Sequence, residues 1–132
     1  MTRSVETVSR EQTLRDAVDL LLSRHIRHLP VVDADLRLVG IVTDRDVKRA
    51  TPSLHSGVDR TAYERVLDET RVAQFMTKDP WVVSPGTTVK EAARVLIDSK
   101  VGALPVVDDG RLVGIISDID LLRVLHGLLP GE

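Results

Sequence analysis

Leu29-Pro30-Val31-Val32-Asp33 returns 75 positions later as Leu104-Pro105-Val106-Val107-Asp108, and this repetition decides how the rest of the 132-residue chain is read. The register holds upstream. Met1-Thr2-Arg3 meets Met76-Thr77-Lys78, Val8-Ser9 meets Val83-Ser84, and Thr13-Leu14-Arg15-Asp16-Ala17 meets Thr88-Val89-Lys90-Glu91-Ala92. Downstream the offset falls to 74, because Ala34-Asp35-Leu36 is answered by the shorter Asp109-Gly110. Beyond that turn Arg37-Leu38-Val39-Gly40-Ile41-Val42-Thr43-Asp44-Arg45-Asp46 runs beside Arg111-Leu112-Val113-Gly114-Ile115-Ile116-Ser117-Asp118-Ile119-Asp120. Two copies of one supersecondary unit fill nearly the whole chain.

Each copy carries the same punctuation. A short extended piece (Thr7-Val8, Val82-Val83) leads to a Thr that can cap a helix, Thr13 or Thr88, with an acid three residues on at Asp16 or Glu91. Ala17, Val18, Leu21 and Leu22 then fall at helical spacing, as do Val89, Ala92, Ala93, Leu96 and Ile97. Leu29 to Val32 and Leu38 to Val42 read as two short strands joined by an acidic turn, and Asp108-Asp109-Gly110 is the stronger hairpin signal of the pair. A closing helix is predicted from Asp44 or Asp118. The fold class is therefore α/β: two β-α-β-β-α repeats related by a pseudo-twofold axis, with small mixed sheets packed with helices. The expected boundaries are residues 1–56 for the first repeat, 57–75 for a helical connector and 76–132 for the second repeat. Between the copies, Thr51-Pro52-Ser53 stops the first closing helix and Ser56-Gly57 loosens the chain. Tyr63, Val66 and Leu67 then predict a helix over about 59–67, and a further turn runs through Val72 and Phe75.

Composition narrows the function classes. Hydrophobic residues make up 42% and charged residues 29%, an ordinary globular balance. Lys and Arg number 18 against 20 for Asp and Glu, so the formal charge of -2 provides no general pull toward nucleic acid or an anionic membrane. Aromatics are 2%, which leaves few surfaces for stacking bases. With no cysteine, disulfides, thiolate metal sites and Cys nucleophiles are excluded, and no oxidising compartment is needed. No segment reads as a signal sequence or a membrane span. The expected location is the cytoplasm.

Hydrophobic-Pro-Val-Val-Asp followed by Gly-Ile-Val-Thr-Asp-Arg-Asp, in tandem, resembles a pair of cystathionine beta-synthase (CBS) domains, also called a Bateman module. Ile26-Arg27-His28-Leu29-Pro30, Thr43-Asp44-Arg45-Asp46 and Met76-Thr77 are similar to the stand-alone pairs of the acetoin-utilisation accessory type. On chemical grounds, a hydroxyl-x-x-Asp fragment at a strand-to-helix turn suits a ribose phosphate: the Asp accepts from ribose hydroxyls while the Thr or Ser hydroxyl and nearby amides meet phosphate. Both copies hold it, as Thr43/Asp46 and Ser117/Asp120. The plainer reading is that Thr43 and Asp46 merely cap a helix. The resemblance implies adenosine ligands (AMP, ADP, ATP or S-adenosylmethionine) as regulatory ligands, with no cofactor required and no metal.

The resemblance also implies that each set faces residues of the other repeat. Thr43/Asp46 then faces Asp79, Pro80, Trp81, Val101 and Gly102, with Ile41 beneath the base; Ser117/Asp120 faces Ser4, Val5, Glu6, Ile26 and Arg27, with Ile115 beneath. Arg27, His28 and Arg45 would supply the phosphate clamp, since Gly102, Ala103 and Ile119 stand at the matching places. This predicts the tighter cleft at Thr43/Asp46. Trp81 also reads as plain core, the commoner fate of a lone Trp beside apolar neighbours, and Arg45 as one half of a surface pair with Asp44.

Enzyme motifs are missing from the sequence: there is no nucleophile elbow, no His pair at zinc spacing on a helix and no Gly-x-x-x-x-Gly-Lys loop. The expected protein is not an enzyme but a nucleotide-sensing regulatory module. The alternative is a structural dimerisation scaffold whose clefts bind nothing. A homodimer is expected from Leu121, Leu122, Leu125, Leu128 and Leu129, with an unknown effector protein as a further partner and neither nucleic acid nor membrane.

Overall fold

The computed structural model describes residues 3–53, 57 and 59–131; Ser56, named above for the loosened connector, lies outside the described residues. Chain contacts gather into two units, Glu6–Asp79 and Met1–Val5 with Pro80–Glu132.

In the first unit, α1 (Leu14–Ser23) is followed by β1 (His28–Val32), β2 (Leu38–Thr43), α2 (Asp44–Ala50), α3 (Arg60–Glu69), α4 (Val72–Phe75) and β3 (Thr77–Lys78). Thr13 and Asp16 close a reciprocal capping box at the start of α1, as the sequence predicts. The helix buries Leu14, Ala17 and Leu21. Ala17 and Leu21 meet Val8, Leu29, Val31, Val42 and Val72 in a core built wholly from aliphatic residues and alanine, with Phe75 at its margin.

The sheet runs β1-β2-β3 and is antiparallel throughout. On the far side of β1, Val8 makes one parallel bridge to Val31. Pro30 limits that edge: its carbonyl accepts from the Val8 amide at 3.1 Å, and its missing N–H lies on the same side of the strand. Pro105 and Val83 repeat the arrangement at 3.1 Å. The β1–β2 connection turns on Asp33, whose Oδ1 accepts from the amides of Asp35 and Arg37, while Leu36 takes a positive φ of 64°.

The connector helices belong to this unit. Leu14 and Val72 donate their amides to the carbonyls of Thr70 and Gln12, and Arg15 on α1 pairs with Glu64 and Asp68 on α3. The hydrogen bond from Arg15 holds the Asp68 carboxyl below its ordinary value of 3.8. A depressed carboxyl contributes stability that is present above the ordinary carboxylate range and lost as pH falls through the depressed value. Below about pH 4, hydrogen-exchange protection of α3 should therefore fall relative to that of α1. Protection in α3 that tracks α1 down to about pH 2 would exclude this role for the pair.

The second unit contains α5 (Val89–Ser99), β4 (Ala103–Asp108), β5 (Arg111–Ser117) and α6 (Asp118–Leu128). Thr88 and Glu91 form its first capping box. Asp109 (φ 52°) and Gly110 (φ 82°) form a two-residue turn closed by the Asp108–Arg111 pair, the left-handed conformation that Asp-Gly predicts. Val83 bridges Val106 in parallel, and Ala92, Leu96 and Leu104 make a smaller core joined by Ile116 and Leu121.

Candidate functional site

Thr43 ends β2 and caps α2. Its Oγ1 accepts from the Asp46 amide at 3.1 Å, and Asp46 Oδ2 accepts from the Thr43 amide at 3.0 Å. Ser117 and Asp120 close the same box on α6 at 3.2 and 2.9 Å. Thr13/Asp16 and Thr88/Glu91 share this geometry, so capping alone does not distinguish a ligand set from a plain helix start.

What sets Asp46 apart is burial and a second layer of donors. It is 3% exposed and is the buried charged residue of the described chain. The Thr77 hydroxyl lies 3.1 and 3.0 Å from its two carboxylate oxygens, and Arg49 Nη2 donates to Oδ1 at 2.7 Å. Thr77 arrives on β3, whose pairing of Thr77 with Ile41 and of Lys78 with Gly40 lays the strand beside β2. Asp120 is half-buried, and among the described residues no arginine or hydroxyl beyond Ser117 joins it.

Arg27 and Arg45 are exposed and make no ion pair among the described residues; the Arg45 amide donates to Asp44 Oδ1. The surface pair between Arg45 and Asp44 is thus not formed. The carbonyls of Arg27 and Gly102, which stand just before β1 and β4, accept from the first amides of α2 and α6 at 3.1 and 2.9 Å. Each pre-strand residue is thereby tied to its own repeat's hydroxyl-x-x-Asp set. Ile41 is buried, while His28, Ile26, Val101 and Ile115 are half-buried. Trp81 is 60% exposed, which overturns its reading as plain core. Val5, which ends the first of the second unit's two segments, and Pro80, which begins the other, are half-buried. Among the described residues no three His, Asp or Glu side chains gather to hold a metal, and no helix is long and apolar enough to cross a membrane.

A family model for the CBS domain matches residues 1–53 and 72–127. The chain belongs to the CBS-domain family. It is a pair of CBS domains, and its two small antiparallel sheets packed with helices match the structures of such pairs. A Vibrio cholerae protein ascribed to acetoin utilization is 38% identical, with a TM-score of 0.79 over 97% of this chain and 87% of that one. CBSX2 in complex with AMP is 30% identical, with a TM-score of 0.80 over 97% and 93%. A CBS-domain pair in complex with 5′-methylthioadenosine and S-adenosyl-L-methionine is 26% identical, with a TM-score of 0.77 over 94% and 93%. Among curated relatives, the chain spans 90% of a Dictyostelium discoideum CBS domain-containing protein at 36% identity, but only 41% of an uncharacterised Methanocaldococcus jannaschii protein at 30%.

Within the Glu6–Asp79 unit, Thr77 and Arg49 are the site residues that motif reading passed over. Arg49 was within reach, since three residues separate it from Asp46 on one helix and i,i+3 side chains are neighbours. Thr77 was not, because its contact with Asp46 spans 31 positions and exists only through the β2–β3 pairing. Two depressions of about 510 and 460 Å³ occupy matching places in the two repeats, at Thr7–Gln12 with Val32–Ala34 and at Val82–Thr87 with Val107–Gly110. None of the predicted ligand residues lines either of them.

Proposed function

We propose that this CBS pair is a regulatory module that binds an adenosine nucleotide (AMP, ADP or ATP) through Thr43/Asp46 and Ser117/Asp120 and passes a conformational change to a partner protein, without catalysing a reaction. The observation that carries the reading is the repetition of hydroxyl-x-x-Asp at the strand-to-helix turn of both repeats, with its acceptors already aligned. Adenosine ligands in the related structures support it. The phosphate clamp falls to Arg27, His28 and Arg45, and the base to apolar residues such as Ile41 and Ile115, with Trp81, Val101, Gly102, Pro80, Val5 and Ile26 as further lining. A cytoplasmic location is proposed with it, on the cysteine-free composition.

Calorimetric titration with AMP, ADP, ATP and S-adenosylmethionine tests it. At least one nucleotide should bind below millimolar concentration; silence from all four would leave the scaffold reading. That second reading has its own support, since every strong donor around Asp46 already serves the fold.

We also propose a homodimer. α6 buries none of its residues, and Leu122, Val124, Leu125 and Leu128 are each at least half exposed. Leu121, counted above with the interface leucines, instead packs in the core of its own unit. Light scattering should show twice the chain mass at tens of micromolar, and Leu125→Asp should return the monomer by placing a charge in the apolar stripe. A wild-type monomer at that concentration would refute the proposal.

A further inference from the structure

We infer that Arg49, beyond the clamp of Arg27, His28 and Arg45, sharpens the preference of the Thr43/Asp46 set for a phosphorylated ligand; the inference rests on the adenosine reading above. The Asp46 carboxylate offers about four lone-pair positions. The Thr43 amide, the Thr77 hydroxyl and Arg49 Nη2 already draw on them. Two ribose hydroxyls therefore find no free pair of acceptors, and at least one present donor must leave. The Thr43 amide is fixed by the backbone of the cap, and Thr77 is fixed by the β2–β3 ladder. Arg49 is the donor free to go: its side chain is 71% exposed, flexible, and held to Asp46 by a single contact.

Ribose docking thus exchanges a guanidinium for hydroxyls on Asp46 Oδ1. The displaced cation, tethered three residues away on α2, is then unpaired beside the ribose. A 5′-phosphate gives it a new anion at short reach and restores the pair, with bidentate geometry available to Arg. Adenosine brings no anion, and S-adenosylmethionine brings a sulfonium that repels it. Discrimination arises because the empty state is already bonded: any ligand must compensate the lost Arg49–Asp46 contact, and only an anionic one does so. The second repeat provides an internal control. Arg123 occupies the place of Arg49, is exposed, and makes no bond to Asp120 among the described residues.

The test is calorimetric titration of the full chain with AMP and with adenosine, read as the ratio of the two dissociation constants. Arg49→Ala should tighten adenosine by about tenfold while leaving AMP within a few-fold of the wild type, so that the preference for AMP falls by about tenfold. Arg49→Lys should keep part of the preference, and Arg123→Ala should leave it as in the wild type. Equal weakening of both ligands by Arg49→Ala, or an unchanged ratio, would overturn the role of Arg49 while leaving adenosine binding in place. A wild-type chain that binds neither ligand would overturn the inference together with the reading beneath it.

Discussion

Asp46→Ala is expected to lower the unfolding free energy by about 3 kcal/mol, more than any other change to the two hydroxyl-x-x-Asp sets. About 1 kcal/mol of this is the lost helix cap. The rest comes from the contacts that Asp46, almost wholly buried, accepts from the Thr43 amide, the Thr77 hydroxyl and Arg49. For a chain of this length the melting temperature should fall by about 10 °C. Asp120→Ala removes the equivalent cap in a more open setting and should cost about 1 kcal/mol. The same pair of variants reads ligand binding. Loss of the ribose acceptor at Asp46 should weaken ADP by roughly ten- to hundredfold, and loss of Asp120 should do less at the tighter site. Melting and ADP titration of both variants check the two claims separately. Equal melting losses would deny Asp46 its special burial, and a larger ADP loss for Asp120→Ala would reverse the ranking of the two sets.

Gly40→Ala should be nearly as damaging, for a reason of space. A Cβ at Gly40 would stand 2.8 Å from Met76 Sδ and 2.9 Å from the Thr77 carbonyl oxygen. The methionine end can swing aside, but the carbonyl belongs to β3, and moving it breaks the pairing of Gly40 with Lys78 and of Ile41 with Thr77. A loss of about 2–3 kcal/mol is expected, with the Thr77 hydroxyl drawn away from Asp46 as β3 shifts. Gly127→Ala, where a Cβ would meet nothing within 4 Å, lies on α6 and should instead be neutral or stabilise by up to about 1 kcal/mol. If Gly40→Ala melts at the wild-type temperature, the close approach of β3 is not a constraint on this fold.

Most of the local structure was legible. The boxes at Thr13/Asp16 and Thr88/Glu91, the Asp109-Gly110 turn and the arrest of α2 at Thr51 all depend on hydrogen bonds or dihedral angles within four residues, so their signals are complete in the sequence. The connector helix predicted over 59–67 forms at Arg60–Glu69, and the turn at Val72 and Phe75 forms as α4. Side-chain environment was less legible. Trp81 reads as core by residue type but stands exposed, because neighbouring apolar residues in the chain need not be neighbours in a core. Leu121 and Leu125 lie on one helix and share a residue type, yet only Leu121 turns into the core.

The sequence by itself determined the repeat, the helices and hairpins within each copy, the capping boxes at Thr13/Asp16 and Thr88/Glu91 and the family, since each rests on residue type and short spacing. Tertiary structure alone decided that, among the described residues, Asp46 is the buried and more heavily bonded of the two acids. Their motifs are nearly interchangeable on paper, and the local cap geometry is the same in both. Only the return of the chain after 31 residues brings Thr77 onto Asp46, and only the resulting burial makes the Arg49 contact count, because a charge shielded from water depends on each donor around it. Such a site is a property of strand pairing between distant segments, which no window of sequence contains.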